Sequence, residues 1–186
     1  KEKEEIKINP TDNLTAYQWF SRGKEVYNLK LYDKAIVYYT KAIQINQKYA
    51  EAYYNRAIAY FSKELYDDAI EDNSKAIQIN PKYAEAYLLR GVLYGARKGL
   101  PDDAIKDYTK AIQFNPKRAA AYFFRGYGYH DKGLNDEAIS DWKKATDLGS
   151  EDARQNLKEI FNIDYWKIYS VAIVLVGGNN KWISSK

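Results

Sequence analysis

His130 is the single histidine in this 186-residue chain, and there is no cysteine. Thiolate zinc ligation, a thiol nucleophile and a disulfide scaffold are all excluded, and any metal site or histidine acid/base would hang on one residue. Asp131 adjoins His130 but does not share its face of a helix, because successive residues diverge by about 100°. His130 therefore reads as a groove-lining or solvent-facing side chain rather than a catalytic one. Ser62 and Ser74 have no base at a suggestive spacing, and Gly177-Gly178 lacks the Lys-Ser/Thr that a phosphate-binding loop requires. The acidic pairs Asp67-Asp68, Asp102-Asp103 and Asp136-Glu137 sit where helices open, and there carboxylates meet exposed N–H groups and the positive dipole end. The expectation is a non-catalytic protein with no cofactor and no metal.

The arginines carry more information. Arg22, Arg56, Arg90 and Arg125 recur at offsets of 34, 34 and 35 residues, and each precedes a small residue: Gly23, Ala57, Gly91 and Gly126. A ladder of anion sites is one reading. Half-buried Arg–Asp pairs are favoured, because Asp72, Asp107 and Asp141 recur at the same period. Tyr38 takes the place of the aspartate in the first unit, so Arg22 is expected to be the free arginine. Spacing leaves open whether each aspartate serves its own unit or the next.

Such a column needs elements to carry it, and the period supplies them. Ala50-Glu51-Ala52-Tyr53 aligns with Ala84-Glu85-Ala86-Tyr87, and the added residue before the fourth unit falls in Lys98-Gly99-Leu100-Pro101, a turn that absorbs insertions. Each unit predicts two helices. Tyr53, Ala57 and Tyr60 fall on one face of the first, as do Tyr87, Gly91 and Tyr94, and Tyr122, Gly126 and Tyr129. The second helices carry alanines seven apart (Ala35/Ala42, Ala69/Ala76, Ala104/Ala111, Ala138/Ala145), and Asn80-Pro81 and Asn115-Pro116 end two of them. One such hairpin cannot bury its apolar stripe, so neighbours must stack.

These residues resemble the tetratricopeptide repeat (TPR) family. An aromatic, a small residue and an aromatic mark the first helix; alanines, an aromatic (Tyr39, Tyr108, Trp142) and a proline mark the second. Asn73 takes the aromatic place in repeat two, Val26 replaces the second tyrosine of repeat one, and Gln47 stands for its proline. The resemblance implies an all-α, right-handed α-solenoid of four helix-turn-helix hairpins (16–49, 50–83, 84–118, 119–152) whose first helices line a concave groove. Counting along those helices puts Tyr17, Phe20, Lys24 and Tyr27, then Tyr54, Asn55, Ile58 and Phe61, then Leu88 and Val92, then Phe123, Tyr127 and His130 on the groove face. Glu85 joins them as one of the few charges. Such a face suits a protein or peptide segment with apolar side chains.

TPR domains that hold acidic chaperone tails use Lys and Asn in the first repeat, Asn in the second, and Lys and Arg in the third. Here those positions are Phe20 and Lys24, then Asn55, then Glu85 and Leu89, so the two-carboxylate clamp is absent.

Ser150-Glu151-Asp152 predicts the start of a capping helix (153–164) with Ala153, Leu157, Ile160 and Phe161 on one face. The N-terminal 1–15 is either a charged arm or, since Ile6–Pro10 echoes Ile77–Pro81, the stump of a preceding repeat. The tail from Tyr165 holds Ile168–Val176, an apolar, β-branched run too short to span a bilayer. It has to be covered, by the solenoid or by a neighbouring molecule, which makes a homo-oligomer through the tail the alternative role. A net charge of +4 drawn from 29 basic and 25 acidic residues does not mark a nucleic-acid binder. The missing initiator Met reads as processing or trimming, and the lack of cysteine suits either the cytoplasm or an exported setting.

Overall fold

The structure, a computed structural model, describes residues 14–96 and 100–162. The expectations for the N-terminal arm, Lys98-Gly99 and the apolar tail lie outside the described residues. Among the described residues there are nine helices and no strand: α1 (Ala16–Asn28), α2 (Tyr32–Ile45), α3 (Ala50–Ser62), α4 (Tyr66–Ile79), α5 (Ala84–Ala96), α6 (Pro101–Phe114), α7 (Ala119–Asp131), α8 (Asn135–Asp147) and α9 (Glu151–Phe161). The chain divides into two compact units at Arg97/Lys98, the first holding α1–α5 and the second α6–α9.

Local chemistry starts and stops these helices. Thr15 caps α1 in a reciprocal box with Gln18: its hydroxyl accepts from the Gln18 N–H, and its own N–H donates to Gln18 Oε1 at 2.8 Å. The second helices α2, α4 and α8 have leucine at the cap position and no side-chain cap, so acids in the first turn serve that end instead: Asp33, Asp67 and Asp68, Asp136 and Glu137. α6 adds Pro101 at its first position, where a missing N–H costs nothing.

The turn inside the first, second and fourth hairpins is fixed by a pair of backbone bonds. Leu31 N–H donates to Val26 O at 3.0 Å and Lys30 N–H to Tyr27 O at 2.8 Å, and the same pair recurs at Glu64-Leu65 and Gly133-Leu134. This six-to-one closure needs one left-handed residue. Gly133 supplies it at φ 73°, whereas Lys30 and Glu64 adopt φ 60° against their own Cβ. Glu64→Gly is therefore expected to stabilise the protein by about 0.5–1 kcal/mol, and Lys30→Gly by a similar amount, in chemical denaturation; a loss of stability in both would refute the account.

Packing within a hairpin is a large-into-small fit. A Cβ added at Gly23 would meet the Tyr39 ring at 2.5 Å, and one added at Gly126 would meet Trp142 Nε1 at 2.5 Å. Between hairpins, Ala52, Ala86 and Ala121 are fully buried and let the next first helix approach closely; at Gly128 a Cβ would meet Ile105 of α6 at 2.8 Å. Asn73 is fully buried in the place held elsewhere by Tyr39, Tyr108 and Trp142. Its Nδ2 donates back to Ala69 O at 2.9 Å, and its Oδ1 makes no hydrogen bond.

Candidate functional site

In the first unit α1, α3 and α5 stand side by side, so equivalent residues 34 apart form rows across neighbouring helices. Phe20, Tyr54 and Leu88 form the first such row, one turn in from the positions of Tyr17, Glu51 and Glu85. Phe20 and Leu88 keep only 7% and 8% of their surface exposed. The Phe20 ring lies 5.8 Å from Tyr39 and 5.0 Å from Tyr49, and half-buried Tyr54 lies 5.1 Å from Tyr83. This row joins one hairpin to the next, and the sequence reading missed the partners Tyr49 and Tyr83. Their signal was present: two tyrosines at the same 34-residue offset, each directly before the alanine that opens a first helix.

The second row is more open. Lys24 is exposed, with Nζ 5.8 Å from the Phe20 ring centroid, while Ile58 and Val92 are half-buried. In the third row the Tyr27 hydroxyl and Ser62 Oγ are 3.1 Å apart, joining α1 to α3, and the rings of Tyr27 and Phe61 pack on Tyr32 and Tyr66. Asn55 is half-buried, and its Nδ2 donates to the Glu51 carbonyl at 2.8 Å. Tyr17 is 68% exposed at the start of α1.

In the second unit Phe123, Tyr127 and His130 follow one face of α7. Tyr127 lies 5.0 Å from Phe123 and 5.2 Å from Trp142. The capping helix α9 joins this face: the Tyr127 hydroxyl donates to Asn156 Oδ1 at 3.3 Å, and Phe161 lies 5.9 Å from His130. His130 is held between Trp142 and Phe161 rather than in open solvent. Asn156 was not foreseen, and Phe161, expected on the packing face of the capping helix, meets His130 of α7 as well as Trp142 of α8, which nothing in the sequence specifies.

The arginine column is a structural clasp. Arg56 Nε and Nη2 donate to Asp72 at 2.7 Å each, and its Nη1 donates to Thr40 Oγ1 at 2.8 Å. Arg125 repeats this with Asp141 at 2.7 and 2.8 Å and Thr109 at 3.1 Å. Asp72 and Asp141 thus serve their own hairpins, while the third arm of the guanidinium reaches the hairpin before, as Arg90 Nη1 does to Ser74 Oγ at 3.0 Å. Tyrosines flank the cations: Arg56 lies 5.6 and 5.8 Å from the Tyr53 and Tyr60 rings. Burial works against the charged form of Arg56 and of Arg125, but the bonds to the carboxylates outweigh it and raise both pKa values. The expectation that Arg22 is free is corrected: its guanidinium lies over the Trp19 ring at 5.4 Å.

The serines are committed as well. Ser62 Oγ donates to Ile58 O and Ser74 Oγ to Ile70 O. Among the described residues no group of three or more His, Cys, Asp or Glu side chains could hold a metal, and no helix is long and apolar enough to cross a membrane.

Tandem helical hairpins, two of them clasped by the recurring arginine at Arg56 and Arg125, define a helical-repeat protein. Family profiles described as tetratricopeptide repeat match residues 50–83 and 93–153, and one described as TPR repeat matches 23–64. The solved structure of MamA is similar, at 33% identity over 77% of this chain and 83% of that chain, with a TM-score of 0.70. The chain belongs to the tetratricopeptide repeat family. The first TPR of Spaghetti (RPAP3), solved with the HSP90 peptide SRMEEVD, matches at 26% identity over 64% of this chain and 94% of its own, with a TM-score of 0.62. The thermophilic TPR protein TTC0263 of Thermus thermophilus shares the fold at 22% identity over 89% and 93% of the two chains, with a TM-score of 0.65. No curated protein matches.

Proposed function

We propose that this chain is a non-catalytic interaction scaffold that binds a peptide or protein segment with apolar side chains along its first helices. A protein-interaction role is typical of the family. The observation that carries the reading is the middle row of the first unit. Ile58 and Val92 remain half-exposed at matching positions on adjacent helices, between Tyr17 at one end and Tyr27 and Phe61 at the other. A segment laid across them would remove apolar area from water at about 25 cal/mol per Å². Phe20, Tyr54 and Leu88 then serve as the wall behind that surface and contribute little area of their own.

The proposed ligand class differs from the HSP90 peptide SRMEEVD bound by the RPAP3 domain. Phe20 is buried against Tyr39 and Tyr49, and exposed Glu85 stands where a clamp lysine would stand, so a terminal carboxylate meets a ring and an anion. One amide hydrogen of Asn55 is already given to Glu51 O.

The test is a pair of charge insertions. Ile58→Glu together with Val92→Glu is expected to weaken binding of library-selected apolar peptides by roughly thirtyfold or more, since each carboxylate would have to be desolvated without a partner. The thermal midpoint should fall by only a few degrees, because both sites are half-exposed. Binding that survives the double change overturns the reading.

A further inference from the structure

The N-terminal ends of α3 and α5 carry a feature that the apolar surface does not require. Glu51 and Glu85 occupy matching positions in the first turns of these adjacent helices, and both are exposed. Neither carboxylate is held in an ion pair among the described residues. Tyr54, one turn after Glu51 on α3, pairs with Tyr83, two residues before Glu85, with centroids 5.1 Å apart and planes tilted by 46°. The Tyr83 phenol is pushed well above its ordinary pKa, first by burial and then by the charges of Tyr54, Glu51 and Glu85, so all three groups act on one spot.

We propose that this tyrosine–carboxylate patch receives a cationic side chain, arginine or lysine, of the bound segment. The proposal rests on the reading of the first-helix face as a peptide site and specifies the partner's chemistry. The argument is charge complementarity, and the protein contains its own precedent. Arg56 sits between Tyr53 and Tyr60, 5.6 and 5.8 Å from their centroids, with Nε and Nη2 both donating to the Asp72 carboxylate. Arg125 does the same between Tyr122 and Tyr129, 5.8 and 5.7 Å away, with Asp141. Those internal cations use ring faces for the flat guanidinium and a carboxylate for its N–H groups. Tyr54, Tyr83, Glu51 and Glu85 bring the same components to the N-terminal ends of the two helices that hold Ile58 and Val92. A segment with apolar side chains and a nearby cation would satisfy both parts, whereas an acidic tail would be repelled.

The experiment selects short peptides from a phage-displayed random library on the full chain and measures their affinity by fluorescence anisotropy. Selected sequences are expected to combine apolar residues with an Arg or Lys. Replacing that cation by glutamine should weaken binding about tenfold to the native chain and less than about twofold to the Glu51→Gln/Glu85→Gln variant, with the native loss largest at low salt. Both glutamates are exposed and glutamine keeps their shape, so the variant folds. The proposal is overturned if the selected peptides lack a cation, or if both chains lose equally when it is removed. Under either outcome, loss of binding in the Ile58→Glu/Val92→Glu chain still upholds the apolar groove. If that chain binds the selected peptides unchanged, the groove reading fails and this proposal fails with it.

Discussion

Asp141→Ala is expected to cost about 3 kcal/mol of folding stability, the largest effect of any single change considered, because it strands a buried cation. The Asp141 side chain is 8% exposed and that of Arg125 17%, so neither charge is freely solvated. The native guanidinium spends Nε and Nη2 on Asp141 and Nη1 on Thr109, which leaves no donor idle on that side. Removing the carboxylate leaves two N–H groups and a full charge between the Tyr122 and Tyr129 rings, where cation–π attraction returns only about 1–2 kcal/mol. Urea unfolding followed by circular dichroism measures the loss. Arg125→Leu combined with Asp141→Ala should recover much of it, since deleting both charges removes the stranded group. A cost for Asp141→Ala below about 1 kcal/mol would mean that the pair behaves as an ordinary surface ion pair.

Gly126→Ala should destabilise by about 2 kcal/mol, although alanine is the better helix former by about 1 kcal/mol. The new methyl would stand 2.5 Å from Trp142 Nε1 and 2.6 Å from its Cδ1, and the indole is fully buried. Trp142 cannot yield freely, because its N–H donates to Phe123 O at 3.0 Å and its ring also touches Tyr127, His130 and Phe161. Shifting the ring strains that hydrogen bond, worth about 1 kcal/mol, and disturbs the packing of α9. Repeat two provides an internal control. Ala57 occupies the place of Gly126 there and Asn73 the place of Trp142, so a smaller partner stands opposite the larger residue. A double-mutant cycle checks the idea: in a Trp142→Asn background the cost of Gly126→Ala should disappear. If the penalty persists, the close approach to Trp142 is not its source.

The helices were legible because they rest on local chemistry repeated in phase. The acids opening the second helices and the prolines after Asn80 and Asn115 concern residues within a turn or two of one another, and the 34-residue offset repeats that local pattern. The arginine column was legible as pairing for a related reason: Asp72 and Asp141 recur with Arg56 and Arg125, and a half-buried cation needs a partner. The groove face was legible only in part. Tyr17, Lys24, Ile58 and Val92 retain the exposure their spacing suggested, whereas Phe20 and Leu88 are covered. The cover of Phe20 comes from Tyr39 of its own hairpin and from Tyr49 just before α3, and the angle at which neighbouring elements pack is not written in helical periodicity. The same holds for His130, which spacing read as groove-lining or solvent-facing and against which Trp142 and Phe161 pack.

The sequence by itself determined the number and kind of elements, the family and the absence of thiol chemistry, because each follows from residue type or from a pattern a few residues long. Tertiary structure alone decided which side chain of each row stays open, that one arginine clasps two hairpins, and that Glu51, Glu85 and the Tyr54–Tyr83 pair share a patch. Burial and charge proximity depend on distances between residues about thirty positions apart, which are set by how small residues such as Gly23, Ala52 and Gly126 let helices approach.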